Sequence, residues 1–130
     1  MVLGAPSSIS AWLTGRLKSF LFAFQGLRFL LRERNAQVHL VATLIVLSAG
    51  ILGHVSRLEW VSLTVAIAGV WVAEAFNTAL ECLANAAVPQ MHPMVKVAKD
   101  VAAGAVLLMA VGAVCVAGLV FMPRIQSWMH

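Results

Sequence analysis

The stretch EAFNTALECLANAA, Glu74 to Ala87, spaces Glu74, Asn77, Thr78 and Glu81 so that all four share one stripe of a helix. The two carboxylates are seven residues apart, two turns, or about 10.5 Å along a helix axis. An apolar run long enough to cross a membrane precedes them, so Glu74 would sit at headgroup depth and Glu81 nearer to water. A carboxylate in mid-span costs roughly 2.5–3.5 kcal/mol on insertion scales, so Glu74 needs a compensating role.

The chemistry that fits such a pair is metal-assisted phosphoryl transfer at a membrane surface. Mg²⁺ takes one or two protein carboxylates together with phosphate oxygens. A lysine holds phosphate as a point charge, and Lys99 next to Asp100 opens a later apolar span from the same side. The deeper carboxylate, Glu74, could take the proton of a hydroxyl. No Walker motif and no HRD/DFG set is present, which excludes the soluble kinase classes. The competing reading is an ion-pair or hydrogen-bond cluster that glues a bundle together, as in a non-catalytic assembly or transporter subunit. His92, between Pro89 and Pro93, reads equally as a solvated turn residue. His39 and His54, at opposite ends of one apolar span, read as interfacial, with no spacing that suggests metal binding.

The elements that would position these residues are helices in a membrane. The chain has 130 residues, enough for one domain, of which 62% are hydrophobic and 11% charged; its mean hydropathy is +0.93. A soluble domain of this size rarely has so little polar surface. Residues 8–34 carry Leu13, Leu17, Phe20, Leu21, Phe24, Leu27 and Leu31 at helical period. Lys18, Gln25, Arg28 and Arg32 fall opposite, which predicts an amphipathic basic helix lying in the membrane interface. Three apolar spans follow, 36–55, 58–80 and 101–122, each about 30 Å long as a helix, the thickness of a hydrocarbon core. The prediction is therefore an all-α membrane protein with one surface helix and three transmembrane helices.

The net charge of +4 points to an anionic lipid surface rather than nucleic acid, because the basic residues flank apolar spans. Arg16, Lys18, Arg28, Arg32 and Arg34 precede the first span, and Lys96 and Lys99 lie between the second and third; the other side holds Arg57 and Arg124. The positive-inside rule then predicts a cytoplasmic N-terminus, a cytoplasmic Pro89–Pro93 connection and an outward C-terminus. The N-terminus lacks a short apolar core followed by a small-residue cleavage site, so no removable signal peptide is expected. Cys82 and Cys115 have no metal-binding spacing and read as packing residues.

EAFNTALE, followed by HPMVKVAKDVAAGAVLL, resembles the pattern E-x-x-N-[ST]-[AS]-[IL]-E, then His and A-K-D, of the prokaryotic diacylglycerol kinase and undecaprenol kinase family. ERN at Glu33 to Asn35, with His39 after it, resembles the Gram-positive undecaprenol kinase branch. The resemblance runs from about Phe22 to Leu108. It implies a homotrimer in the bacterial inner membrane, with ATP and Mg²⁺ bound on the cytoplasmic side. The substrate would be a lipid alcohol, diacylglycerol or undecaprenol, arriving from within the bilayer. Carried over by motif, Glu74 is similar to the catalytic base, and Glu33 and Glu81 to the Mg²⁺ ligands. Gln90, Met91, His92, Lys99 and Asp100 are similar to nucleotide contacts, and Arg16, more loosely, to a nucleotide or substrate arginine. Asn77 would orient the Glu74 carboxylate or the lipid hydroxyl. Three features depart from the pattern: Asn85 stands where many members have Asp, Ala103 stands where one branch has Ser, and Glu33 lies one residue closer to Gly26, so that its assignment rests on ERN and not on the gap.

Overall fold

The computed structural model describes residues 9–90 and 92–128. They form four helices: α1 (Ile9–Leu30), α2 (Arg34–Leu52), α3 (Arg57–Ala87) and α4 (Pro93–Trp128). The surface helix therefore ends at Leu30, four residues before the expected limit at Arg34; its expected first residue, Ser8, lies outside the described residues. A tight turn separates α1 from α2, with the N–H groups of Arg32 and Glu33 bonded three residues back, to the carbonyls of Phe29 and Leu30. Glu33 is the N-cap of α2, but its side chain makes no capping hydrogen bond, so its carboxylate is left available.

Three helices are long and apolar enough to cross a membrane: Arg34–Leu52, Arg57–Ala87 and Pro93–Ser127. The second and third outrun the apolar spans expected at 58–80 and 101–122. A helix satisfies its own backbone, so it does not have to stop where apolar side chains give way to polar ones. Pro93 is the first residue of α4, a position where its missing N–H costs nothing. Lys96, Lys99 and Asp100 consequently stand on α4 itself rather than in a connection.

α3 is the central element. It packs closely along α4 and more lightly on α2. Two contacts fix its antiparallel register with α2: the Trp71 indole N–H donates to Thr43 Oγ1 at 3.0 Å, and His39 Nε2 lies 3.8 Å from Glu74 Oε2. α4 is pinned to α3 at both ends. Lys99 Nζ donates to Asn85 Oδ1 at 3.2 Å, while the Arg124 guanidinium grips both oxygens of Glu59 at 2.8 and 2.7 Å. Arg124 Nε also donates to the Gly53 carbonyl at 3.0 Å, which ties α4 to the α2–α3 turn. That turn is closed by a capping box between Ser56 and Glu59.

The apolar core lies at this Gly53 end, where Val55, Leu63 and Val120 are buried with Val46, Trp60, Val116, Ala117 and Phe121 around them. Gly50 permits it: a Cβ there would come within 2.6 Å of the Trp60 ring. At the opposite end of the bundle, the buried side chains on α3 are polar: Glu74, Asn77 and Thr78.

Candidate functional site

The α2–α3 register brings the turn at Glu33 beside the polar stripe. Arg32, Glu33, Arg34, Asn35, Glu74, Asn77, Thr78 and Glu81 line one cleft of about 340 Å³. Glu74 forms its deep part and is 1% exposed. Glu81, two turns along α3, is half-buried, and Glu33 is exposed at the rim. The stripe legible in the sequence is thus one wall of a real concavity, and the ERN segment is the other.

The hydrogen bonding within this cleft departs from expectation at Asn77. Its amide donates to Glu81 Oε1 at 3.4 Å rather than to Glu74. Helical side chains lean toward the N-terminus of their helix, so Glu81 reaches back over one turn to Asn77. Glu74 Oε2 and Asn77 Oδ1, both buried, take no hydrogen bond from the protein. Two unpaired acceptors beside two further carboxylates form a donor set of oxygens alone, which suits a hard cation or a hydroxyl proton. Among the described residues no three His, Cys, Asp or Glu side chains converge tightly enough to enclose a metal ion by themselves.

A second cleft, of about 320 Å³, opens where α3 ends. Asn85, Val88, Pro89, Gln90, His92, Val95, Lys96, Lys99 and Asp100 line it. Four expected nucleotide contacts, Gln90, His92, Lys99 and Asp100, are therefore brought together. Lys99 is held by Asn85, as above, and Asp100 pairs with Lys96 at 2.6 Å on an exposed face. The Met94 N–H donates to His92 Nδ1 at 3.2 Å, so His92 also caps the start of α4. Glu81 and Asn85 are one turn apart on α3, which makes the two clefts neighbours along one helix wall.

Two expected site residues are not in this assembly of side chains. Arg16 lies about 21 Å up α1 from Leu30, with its guanidinium 5.1 Å from the Trp12 ring. Met91 lies outside the described residues. Conversely, His39, read from its place at a span end as interfacial and named with ERN in the resemblance, comes within 3.8 Å of Glu74. Helical spacing from ERN holds the missing signal: His39 is four residues after Asn35 and so faces the same way, one turn deeper.

Comparison with known proteins gives the family to which this chain belongs. The family model described as prokaryotic diacylglycerol kinase matches residues 21–121. An undecaprenol kinase of Bacillus subtilis is 38% identical over 109 residues, covering 83% of this chain and 89% of the relative. A diacylglycerol kinase of Synechocystis sp. is 36% identical over 115 residues, covering 87% of this chain and 66% of that protein. This chain belongs to the prokaryotic diacylglycerol kinase family: it is an all-helical, multi-pass membrane enzyme of the lipid-kinase type.

Proposed function

We propose that the protein transfers the γ-phosphoryl group of ATP to the hydroxyl of a membrane lipid alcohol, of the diacylglycerol or undecaprenol class. The observation that carries this reading is Glu74: 1% exposed, with an unpaired carboxylate oxygen, deep in a cleft rimmed by Glu33 and Glu81. Glu74 accepts the proton of the lipid hydroxyl as that oxygen forms its bond to the γ-phosphorus. The bond from the γ-phosphorus to the bridging oxygen breaks, and its electron pair leaves with ADP. Glu33 and Glu81 would hold Mg²⁺, which when bound neutralises phosphate charge. Asn77, bonded to Glu81, fixes that carboxylate. Lys99 contacts phosphate, and Gln90, His92 and Asp100 line the neighbouring cleft that suits the rest of the nucleotide. Met91 belongs to the same segment.

The excess of Lys and Arg at the Glu33 end supports a cytoplasmic active site in a bacterial inner membrane. The exposure of α1, in which Leu30 is the one buried residue among those described, supports a homotrimer in which α1 serves a neighbour. The test is Mg²⁺-dependent consumption of ATP by the purified protein in bilayers with diacylglycerol or undecaprenol added separately. Phosphorylated lipid is expected with at least one of them. No lipid product with either, in protein that remains folded, would overturn the reading.

A further inference from the structure

Glu74 lacks a partner that would fix its orientation. Its Oε2 is buried and takes no hydrogen bond from the protein, and the nearest amide, on Asn77, is engaged by Glu81. A carboxylate with an undirected oxygen is a poorly oriented base. The group facing that oxygen is the imidazole of His39, whose Nε2 is 3.8 Å away. This is beyond hydrogen-bond length, yet too short for a bridging water, which with two legs of about 2.8 Å would hold its partners roughly 4.5 Å apart. The gap is within ion-pair distance, and a closing shift of under about 1 Å, of the kind that catalytic contacts make when a substrate binds, would make it a direct N–H···O bond.

The surroundings hold His39 ready for that shift. One turn away, the Trp71–Thr43 bond locks α2 to α3, so the two backbones cannot drift apart. The His39 side chain is 17% exposed and that of Glu74 2%. His39 also closes one end of an apolar cavity of about 150 Å³ between α2, α3 and α4, lined by residues such as Ala42, Val46, Val70 and Ala113. The imidazole thus touches both that cavity and the Glu74 carboxylate.

We propose that His39 is a positioning residue for the base: its Nε2–H donates to Glu74 Oε2 and turns the other carboxylate oxygen toward the lipid hydroxyl. The proposal rests on Glu74 being the base, and the experiment separates the two. Full-length His39→Leu, His39→Gln, Glu74→Gln and the double variant His39→Leu/Glu74→Gln are assayed for lipid phosphorylation in bilayers, with thermal unfolding in detergent alongside. His39→Leu lowers kcat ~10–100-fold, the scale of a misplaced catalytic group, and leaves KM for Mg-ATP within about 2-fold. His39→Gln, which keeps an N–H donor at similar reach, recovers most of that loss. The double variant is no slower than Glu74→Gln, because a base that is absent needs no orienting. If His39→Leu fails to accumulate, His39→Met removes the donor with an unbranched side chain of similar volume. Wild-type kcat in the donor-free variant overturns the proposal, and so does a His39→Gln variant as slow as His39→Leu. Wild-type turnover in Glu74→Gln overturns the assignment of the base instead.

Discussion

Glu74 and Glu81 occupy one stripe of α3 in unlike surroundings, and the proposed mechanism gives them different work. Glu74 is buried with an unpaired oxygen, the setting of a group that receives a proton from a lipid already in the membrane. Glu81 is half-buried, bonded to Asn77, and shares its cleft with Glu33, the setting of a ligand to a hydrated cation on a nucleotide. Glu74→Gln should therefore lower kcat ~10²–10⁴-fold, the range for loss of a general base, with KM for Mg-ATP little changed. Glu81→Gln and Glu33→Gln should instead raise KM for Mg-ATP, because each removes charge from the metal-binding side. Steady-state kinetics at saturating lipid separates the two classes. Near-native turnover in Glu74→Gln would reverse the assignment. The stripe itself was legible, since spacing on a single helix needs no tertiary information. The spacing of His39 from ERN was legible too, but its approach to Glu74 and the Arg124–Glu59 pair were not, because each contact depends on the register between two helices. Periodicity along one helix carries nothing about which residue of the next lies opposite.

At the scale of the elements, the existence and order of the four helices followed from apolar periodicity, while their ends did not. Apolar runs mark the part of a helix that lipid tolerates. α3 and α4, with 31 and 36 residues, extend about 46 and 54 Å, well past the roughly 30 Å of a hydrocarbon core. That excess length carries Glu81, Asn85, Lys96 and Lys99 to the water side, where a nucleotide can reach them. Elsewhere in the bundle, glycines let neighbouring elements approach closely. A Cβ at Gly50 would meet the rigid Trp60 ring, whereas one at Gly69 would meet the mobile end of the Met109 side chain. Overpacking costs about 1–3 kcal/mol, and replacing a helical glycine by alanine returns roughly 0.5–1 kcal/mol. Gly50→Ala should therefore destabilise by up to about 2.5 kcal/mol, while Gly69→Ala should be near neutral as Met109 swings aside. Thermal or denaturant unfolding in detergent ranks the two. The reverse order would mean that the Trp60 packing does not hold the Gly53 end together.

For the whole molecule, the decisive feature is how little of the chain its own folding covers. Most of α1 is exposed, including Leu17, Phe20, Phe22 and Phe24 at more than 60%, and Leu30 is its one buried residue among those described. Lipid accounts for the apolar part of this surface, and anionic headgroups suit Arg16, which lies about 21 Å along α1 from Leu30 and contacts Trp12. If Arg16 takes part in the reaction, as the family resemblance implies, the cleft it serves belongs to a neighbouring subunit. Each active site then joins Glu74 of one chain to Arg16 of another. Arg16→Ala and Glu74→Gln should each be nearly inactive alone, since every site in either homo-oligomer lacks one group. Mixed one to one and refolded together into bilayers, they should regain up to about a quarter of wild-type lipid phosphorylation, because random assembly of a cyclic oligomer draws both intact groups at one site in roughly one case of four. A mixture that stays inactive although cross-linking demonstrates mixed oligomers would show that each site is built within one chain. A fully active Arg16→Ala protein would instead remove Arg16 from the reaction and leave α1 as a membrane-surface anchor.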